Sequence, residues 1–169
     1  MVHVPEERHR RHHRLRDHRP RRNRAAQGSG GERGLSRRGA VVFAGNLLPQ
    51  LAFPLDFDYV HVTRYGDATQ GGALRWISEP RIPVAGRTVL VLDDILDEGI
   101  TLAAIRRHLL DAGAQRCLTA VFSDKMIGRT KPIKADFTGL ELPDRYVFGY
   151  GMDVRGAWRN LPAIYALRE

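Results

Sequence analysis

Residues 88–92 (TVLVL) form a continuous apolar run that stops at two consecutive carboxylates, Asp93 and Asp94. A strand with no polar face is buried on both sides, the setting of a central strand in a parallel sheet covered by helices. Residues 101–112 then place Leu102, Ile105, Leu109 and Leu110 on one helical stripe, with Gly113 where the helix should stop. Residues 117–122 (CLTAVF) supply a further apolar strand, so 88–122 reads as a strand–helix–strand unit with a right-handed crossover. The expected class is α/β with a central parallel sheet.

The N-terminal side of this unit has two parts. Residues 40–51 carry apolar side chains at helical spacing (Val42, Phe43, Leu47, Leu48, Leu51), and residues 59–63 (YVHVT) suit a short strand. Residues 67–72 and 79–86 are turn-rich, with a short segment, 73–77, between them. Upstream of Gly39 the character changes. Residues 1–38 hold 12 arginines, no lysine and 4 acidic residues, whereas residues 39–169 hold 15 basic and 15 acidic residues. The whole net charge of +8 therefore resides in the first 38 positions. That stretch has neither helical nor strand periodicity and too few apolar side chains to bury. Three readings stay open for residues 1–38. They are a basic low-complexity, disordered tail; a basic arm for nucleic acid or another polyanion; or a start site or reading frame other than the native one.

Residues 39–169 are the right size for one domain. Cys117 is the single cysteine, so no internal disulfide can form, and no apolar stretch approaches the ~18 residues of a membrane span. Without an apolar N-terminal signal core, the expected compartment is the cytoplasm, with no membrane partner.

In open parallel sheets ligands gather beyond the carboxyl ends of the strands, where Asp93, Asp94, Asp97 and Glu98 fall. An acidic turn alone could be a solvated loop or a helix cap. Here Gly99 permits close backbone approach, Thr101 adds a hydroxyl, and the N–H groups opening the next helix present a positive dipole end. A phosphate cradle beside carboxylates able to accept hydrogen bonds from a diol is a specific combination.

Residues 89–101 (VLVLDDILDEGIT) resemble the phosphoribosyl pyrophosphate motif of the type I phosphoribosyltransferases: four apolar residues, two acidic, two apolar, then Asp-X-Gly-X-Thr. Residues 121–125 (VFSDK), 136–140 (DFTGL), 143–153 (PDRYVFGYGMD) and 158–161 (WRNL) resemble the hypoxanthine-guanine branch of that family. The resemblance implies a central parallel sheet flanked by helices with a small C-terminal hood. It also implies transfer of a 5-phosphoribosyl group to hypoxanthine or guanine, giving IMP or GMP and diphosphate in purine salvage. By the same resemblance Asp93 and Asp94 hold the ribose hydroxyls, and Glu98, Gly99, Ile100 and Thr101 hold the 5-phosphate. Asp97 is the general base at the purine N7. Lys125 donates to the 6-oxo group, Tyr146 stacks on the purine, and the Val147 backbone meets its edge. The resemblance further implies that Asp153 binds Mg²⁺, that Arg159 pairs with the diphosphate, and that the protein forms a homodimer or homotetramer. The competing reading is a non-catalytic or impaired protein of this fold whose basic arm binds nucleic acid.

The resemblance covers residues 39–169 and breaks before them. Family members carry an apolar strand and a glycine-containing diphosphate loop there, whereas this chain has Ser36, Arg37 and Arg38. Side chains in place of glycine obstruct close backbone approach. The sheet is expected to lack one strand, leaving apolar surface on its neighbours, and the loop covering the site is expected over residues 64–80.

Overall fold

The computed structural model describes residues 1–4, 39–64 and 74–168. The expectations for the basic segment over 5–38, the diphosphate loop at Ser36 to Arg38, and residues 65–73 of the covering loop lie outside them. In chain order the elements are β1 (Val2–Val4), α1 (Ala40–Leu47), β2 (Asp56–Phe57), β3 (His61–Arg64) and β4 (Leu74–Ser78). There follow β5 (Thr88–Leu96), α2 (Ile100–Asp111), β6 (Arg116–Met126), β7 (Phe137–Pro143), β8 (Val147–Phe148) and β9 (Tyr165–Ala166).

Five strands form the central sheet in the order β2-β1-β5-β6-β7. The β5, β6 and β7 strands run parallel, as expected, with Val89 opposite Cys117 and Ala120 opposite Phe137. Side-chain alternation along β5 divides the interior between its faces. Val89 and Val91 pack into the larger core with Ile105 and Leu109 of α2, while Leu90 and Leu92 face α1 and join Ala44, Phe43 and Leu47.

The free edge of β5 is not left bare. Val2–Val4 pairs with it antiparallel, Val2 opposite Leu90 and Val4 opposite Thr88, and β2 pairs with the outer edge of β1. The expected gap in the sheet is thus taken by the first residues of the chain. A strand edge that runs through a core needs partners for its N–H and C=O groups, and four residues (MVHV) suffice to provide them, though too few to register as a period-2 pattern.

Two element ends differ from expectation for local reasons. Helix α1 stops at Leu47 and gives way to a 3₁₀ turn over Leu48–Gln50, because Pro49 offers no N–H to an α-helical ladder. Strand β5 continues through the acidic pair to Leu96, since Asp93 pairs with Val121, Ile95 with Ser123 and Leu96 with Asp124. The segment 74–78 is the antiparallel partner of β3, with Arg64 opposite Leu74 and His61 opposite Ser78. Trp76 of this hairpin stacks against His108 of α2, with ring centroids 4.1 Å apart.

Candidate active site

The sequence from Asp93 to Thr101 divides where β5 ends. Asp93 and Asp94 lie within the strand and are only 4% and 9% exposed, not in an open loop. Asp94 Oδ1 accepts from the Ile95 N–H, and its other oxygen presses against the Cα of Gly39: a Cβ there would lie 1.6 Å from Oδ2. Asp93 borders an open cleft walled by Met1, Ala40, Tyr59 and Leu92. Beyond Leu96, Asp97 and Glu98 leave the sheet, and Gly99 turns the chain into α2 with φ +79. That left-handed conformation suits glycine, and an added Cβ would meet Ile133 at 3.2 Å and Leu96 at 3.3 Å. Helix α2 has no side-chain cap, so its first-turn N–H groups, at Ile100 and Thr101, remain outside the helical ladder, an arrangement able to receive an anion.

Lys125 stands near the end of β6, one position beyond Asp124, the register partner of Leu96. Parallel pairing therefore brings Lys125 beside Asp97, and Lys125 Nζ donates to Asp97 Oδ2 at 3.1 Å. The lysine side chain is 13% exposed and the aspartate 52%, so one partner is held by packing while the other opens to solvent. Such a half-exposed ion pair is worth at most about 1 kcal/mol, little enough for a ligand to separate it.

Tyr146, Val147, Asp153 and Arg159 gather in the C-terminal hood built on the β8–β9 pair. Val147 is a buried β8 residue opposite Ala166, and the Tyr146 ring is exposed, with its hydroxyl donating to the Asp153 carbonyl at 3.2 Å. Arg159 donates from one nitrogen to the Gly151 carbonyl at 2.9 Å and from the other to the Asp153 carboxylate, whose second oxygen accepts from the Gly156 N–H. The hood is fixed to the sheet by Tyr150, stacked on Phe122 at 4.2 Å, which in turn meets Phe43 of α1. Gly151, at φ +99, lies against the Gly39 carbonyl, which an added Cβ would approach to 2.1 Å.

Three residues of this region carry no sequence signal. Arg129 pairs with Glu98 at 2.6 Å, placing a guanidinium beside the turn that leads into α2. Lys131 is half-buried under the same turn, and Gly39 is required by Asp94. A lysine or arginine in the run RTK reads as a solvated charge, and nothing in the residues around Gly39 reports the aspartate that will approach it. Cys117 is buried in the larger core, where burial pushes its thiol up to about 11, so it keeps its proton at neutral pH.

A buried acidic pair at a strand end, an uncapped helix behind a left-handed glycine, and a lysine–aspartate pair on adjacent strands form one arrangement. The phosphoribosyl transferase domain model matches residues 37–155, which spans that arrangement and most of the chain. The chain belongs to the phosphoribosyltransferase family. This phosphoribosyltransferase is 36% identical over 132 residues to the hypoxanthine-guanine phosphoribosyltransferase of Bacillus subtilis, covering 78% of this chain and 73% of that one. It is 33% identical to the hypoxanthine-guanine-xanthine enzyme of Tritrichomonas foetus, covering 78% and 72%. Among solved structures, a hypoxanthine phosphoribosyltransferase from Staphylococcus aureus superposes with a TM-score of 0.73 at 30% identity, covering 77% and 71%. The Trypanosoma cruzi enzyme, as a mutant in a ternary complex with substrates, gives 0.72 at 30% identity, covering 78% and 72%. The fold of this phosphoribosyltransferase is the type I fold, with its parallel strands at the centre and helices on both faces. No helix among the described residues is long and apolar enough to cross a membrane.

Proposed function

We propose that this phosphoribosyltransferase acts in purine salvage, transferring the 5-phosphoribosyl group of phosphoribosyl pyrophosphate to hypoxanthine or guanine to give IMP or GMP and diphosphate. It would work in the cytoplasm as a homodimer or homotetramer. The observation that carries the reading is the Lys125–Asp97 pair at the carboxyl ends of β5 and β6. A 6-oxopurine presents an acceptor, O6, and a ring nitrogen, N7, on one edge, which suits one donor and one proton acceptor a hydrogen bond apart. On binding, Lys125 turns its ammonium to O6 and Asp97 its carboxylate to N7, exchanging their mutual contact for two contacts to the base. Adenine offers an amino group where Lys125 needs an acceptor and leaves a charged donor unpaired, which disfavours it.

The 5-phosphate sits at the start of α2, on the N–H groups of Gly99, Ile100 and Thr101 and the Thr101 hydroxyl, with Arg129 offsetting the Glu98 carboxylate. Asp93 and Asp94 accept from the ribose hydroxyls, which requires the Asp94 carboxylate to turn from Gly39. Tyr146 stacks on the exposed face of the purine, and the Val147 backbone meets its edge. Among the described residues there is no cluster of three metal-ligating side chains. That donor set still fits Mg²⁺, which uses one or two carboxylates together with substrate phosphates. Asp153 would be its anchor once Arg159 swings from that carboxylate to the diphosphate. Mg²⁺ bound there would neutralise charge developing on the leaving diphosphate as the anomeric carbon becomes cationic. Asp97 takes the proton from the purine as the new bond forms, a contribution of about 10²–10⁴ in rate.

The test is product formation by purified full-length protein with phosphoribosyl pyrophosphate, Mg²⁺ and each of guanine, hypoxanthine and adenine. The first two should yield nucleotide and diphosphate. Asp97→Asn should lose ~10²–10⁴ of turnover and still bind ribose phosphate, and Lys125→Ala should weaken 6-oxopurine binding selectively. Full activity in Asp97→Asn, or equal loss with every base in Lys125→Ala, overturns these assignments.

A further inference from the structure

The connection between β6 and β7 carries a lysine that none of these roles uses. The Lys131 side chain is 11% exposed, and its ammonium donates to the Leu96 carbonyl at 2.6 Å, the Asp124 carboxylate at 2.5 Å and the Lys125 carbonyl at 2.6 Å. An ammonium has three protons to donate, and here all three are engaged, by acceptors on two different strands. A lysine serving only to solvate its loop would extend into water. This one gives up hydration, which is favourable only where the geometry of its partners is good.

Those partners are the residues from which the purine-facing pair springs. Leu96 and Asp124 lie opposite each other where the β5–β6 ladder ends. Leu96 immediately precedes Asp97, and Asp124 immediately precedes Lys125. Past that point the two backbones separate, and Lys131 is the group that ties them. Its stem runs beneath the phosphate loop, 3.5 Å from where a Cβ at Gly99 would stand. Ile133 and Ala135, both buried in the larger core, anchor the connection that delivers it.

We propose that Lys131 is a positioning residue for the base: by clamping the Leu96 and Lys125 carbonyls to one ammonium it sets the spacing of Asp97 and Lys125, and hence the fit of the O6/N7 edge of a 6-oxopurine. The proposal rests on the purine reading above. Its sequence neighbourhood, a basic RTK run, conceals it, because the burial comes entirely from the fold.

Lys131→Met keeps the stem under Gly99 and removes all three donors. Two readouts are taken on the full chain with wild type alongside: steady-state kinetics with guanine, and the ¹³C resonance of the Asp97 carboxyl, assigned with Asp97→Asn. The expected result is a tenfold or greater rise in KM for guanine, KM for phosphoribosyl pyrophosphate within twofold of wild type, and a displaced Asp97 resonance. A structural role alone would lower the active fraction with both KM values unchanged, and that pattern, or an unmoved resonance, overturns the proposal. Should Lys131→Met fail to fold, Lys131→Arg keeps the charge but cannot direct three donors from one atom, and is expected to show the same split more weakly; wild-type behaviour in it overturns the clamp. If wild type turns over no purine while the resonance still moves, the clamp stands and the purine reading falls.

Discussion

Two glycines, Gly39 at the N-cap of helix α1 and Gly45 within it, have opposite surroundings, so replacing each by alanine isolates the effect of space. Gly39 has φ −64 and ψ −42, a conformation alanine adopts freely, and Gly45 lies within the helix with nothing within 4 Å of an added Cβ. Gly45→Ala should stabilise the protein by about 0.5–1 kcal/mol, the usual gain from removing a helical glycine. At Gly39 the added carbon would stand 1.6 Å from Asp94 Oδ2 and 2.5 Å from its Cγ, separations that must grow beyond 3.0 Å. The helix cannot simply withdraw, because the Gly39 carbonyl already abuts Gly151. Asp94 must therefore leave its place, at the ~1–3 kcal/mol typical of overpacking. Because the backbone gain is common to both, the two variants should differ by about 1–3 kcal/mol, or several degrees in Tm at roughly 2–4 °C per kcal/mol for a chain of this size. Urea unfolding measures the stability, and KM for phosphoribosyl pyrophosphate should rise in Gly39→Ala alone. If both variants are equally stable and bind ribose phosphate like wild type, Asp94 does not occupy that space and the reasoning fails.

Gly99→Ala should be destabilised by about 1–2 kcal/mol from the left-handed backbone alone, with a further penalty from Ile133 and Leu96, and its 5-phosphate affinity should fall; thermal melting with and without inorganic phosphate measures both. The Cys117 thiol should be inert to iodoacetamide at pH 8 in the native protein and reactive in urea. Because burial raises its pKa from 9.0 to about 11, the folded state retains the proton where the unfolded state loses it. Its contribution to stability is full below pH 9 and disappears as pH rises toward 11, which urea midpoints across that range will report.

The residues that interact with their chain neighbours, or through the regular parallel ladder, were legible in the sequence. The β5–α2–β6 unit follows from the apolar periodicity, and Asp97 and Lys125 were singled out through the family resemblance, whereas their contact is set by the parallel register of β5 and β6. The length of β5 was not legible, because an acidic pair normally ends a strand, and only pairing with β6 carries it through Asp93 and Asp94. Gly39 against Asp94, Gly151 against Gly39 and Lys131 beneath Leu96 were also illegible. Each is a meeting of segments far apart in the chain, where the sequence records the residue type but not what approaches it. The same holds for Val2–Val4, whose apolar residues are too few to stand out beside the arginines.

That first strand has a consequence for the integrity of the chain. It is stitched between β2 and β5, and the next described residue, Gly39, sits against Asp94, so residues 5–38 are a covalent tether joining two sites on one sheet. A peptide bond cleaved directly after Val4 would leave β1 held only by its pairing with β2 and β5, no longer by the chain. The edge of β5 leading to Asp93 and Asp94 would then depend on how dilute the protein is.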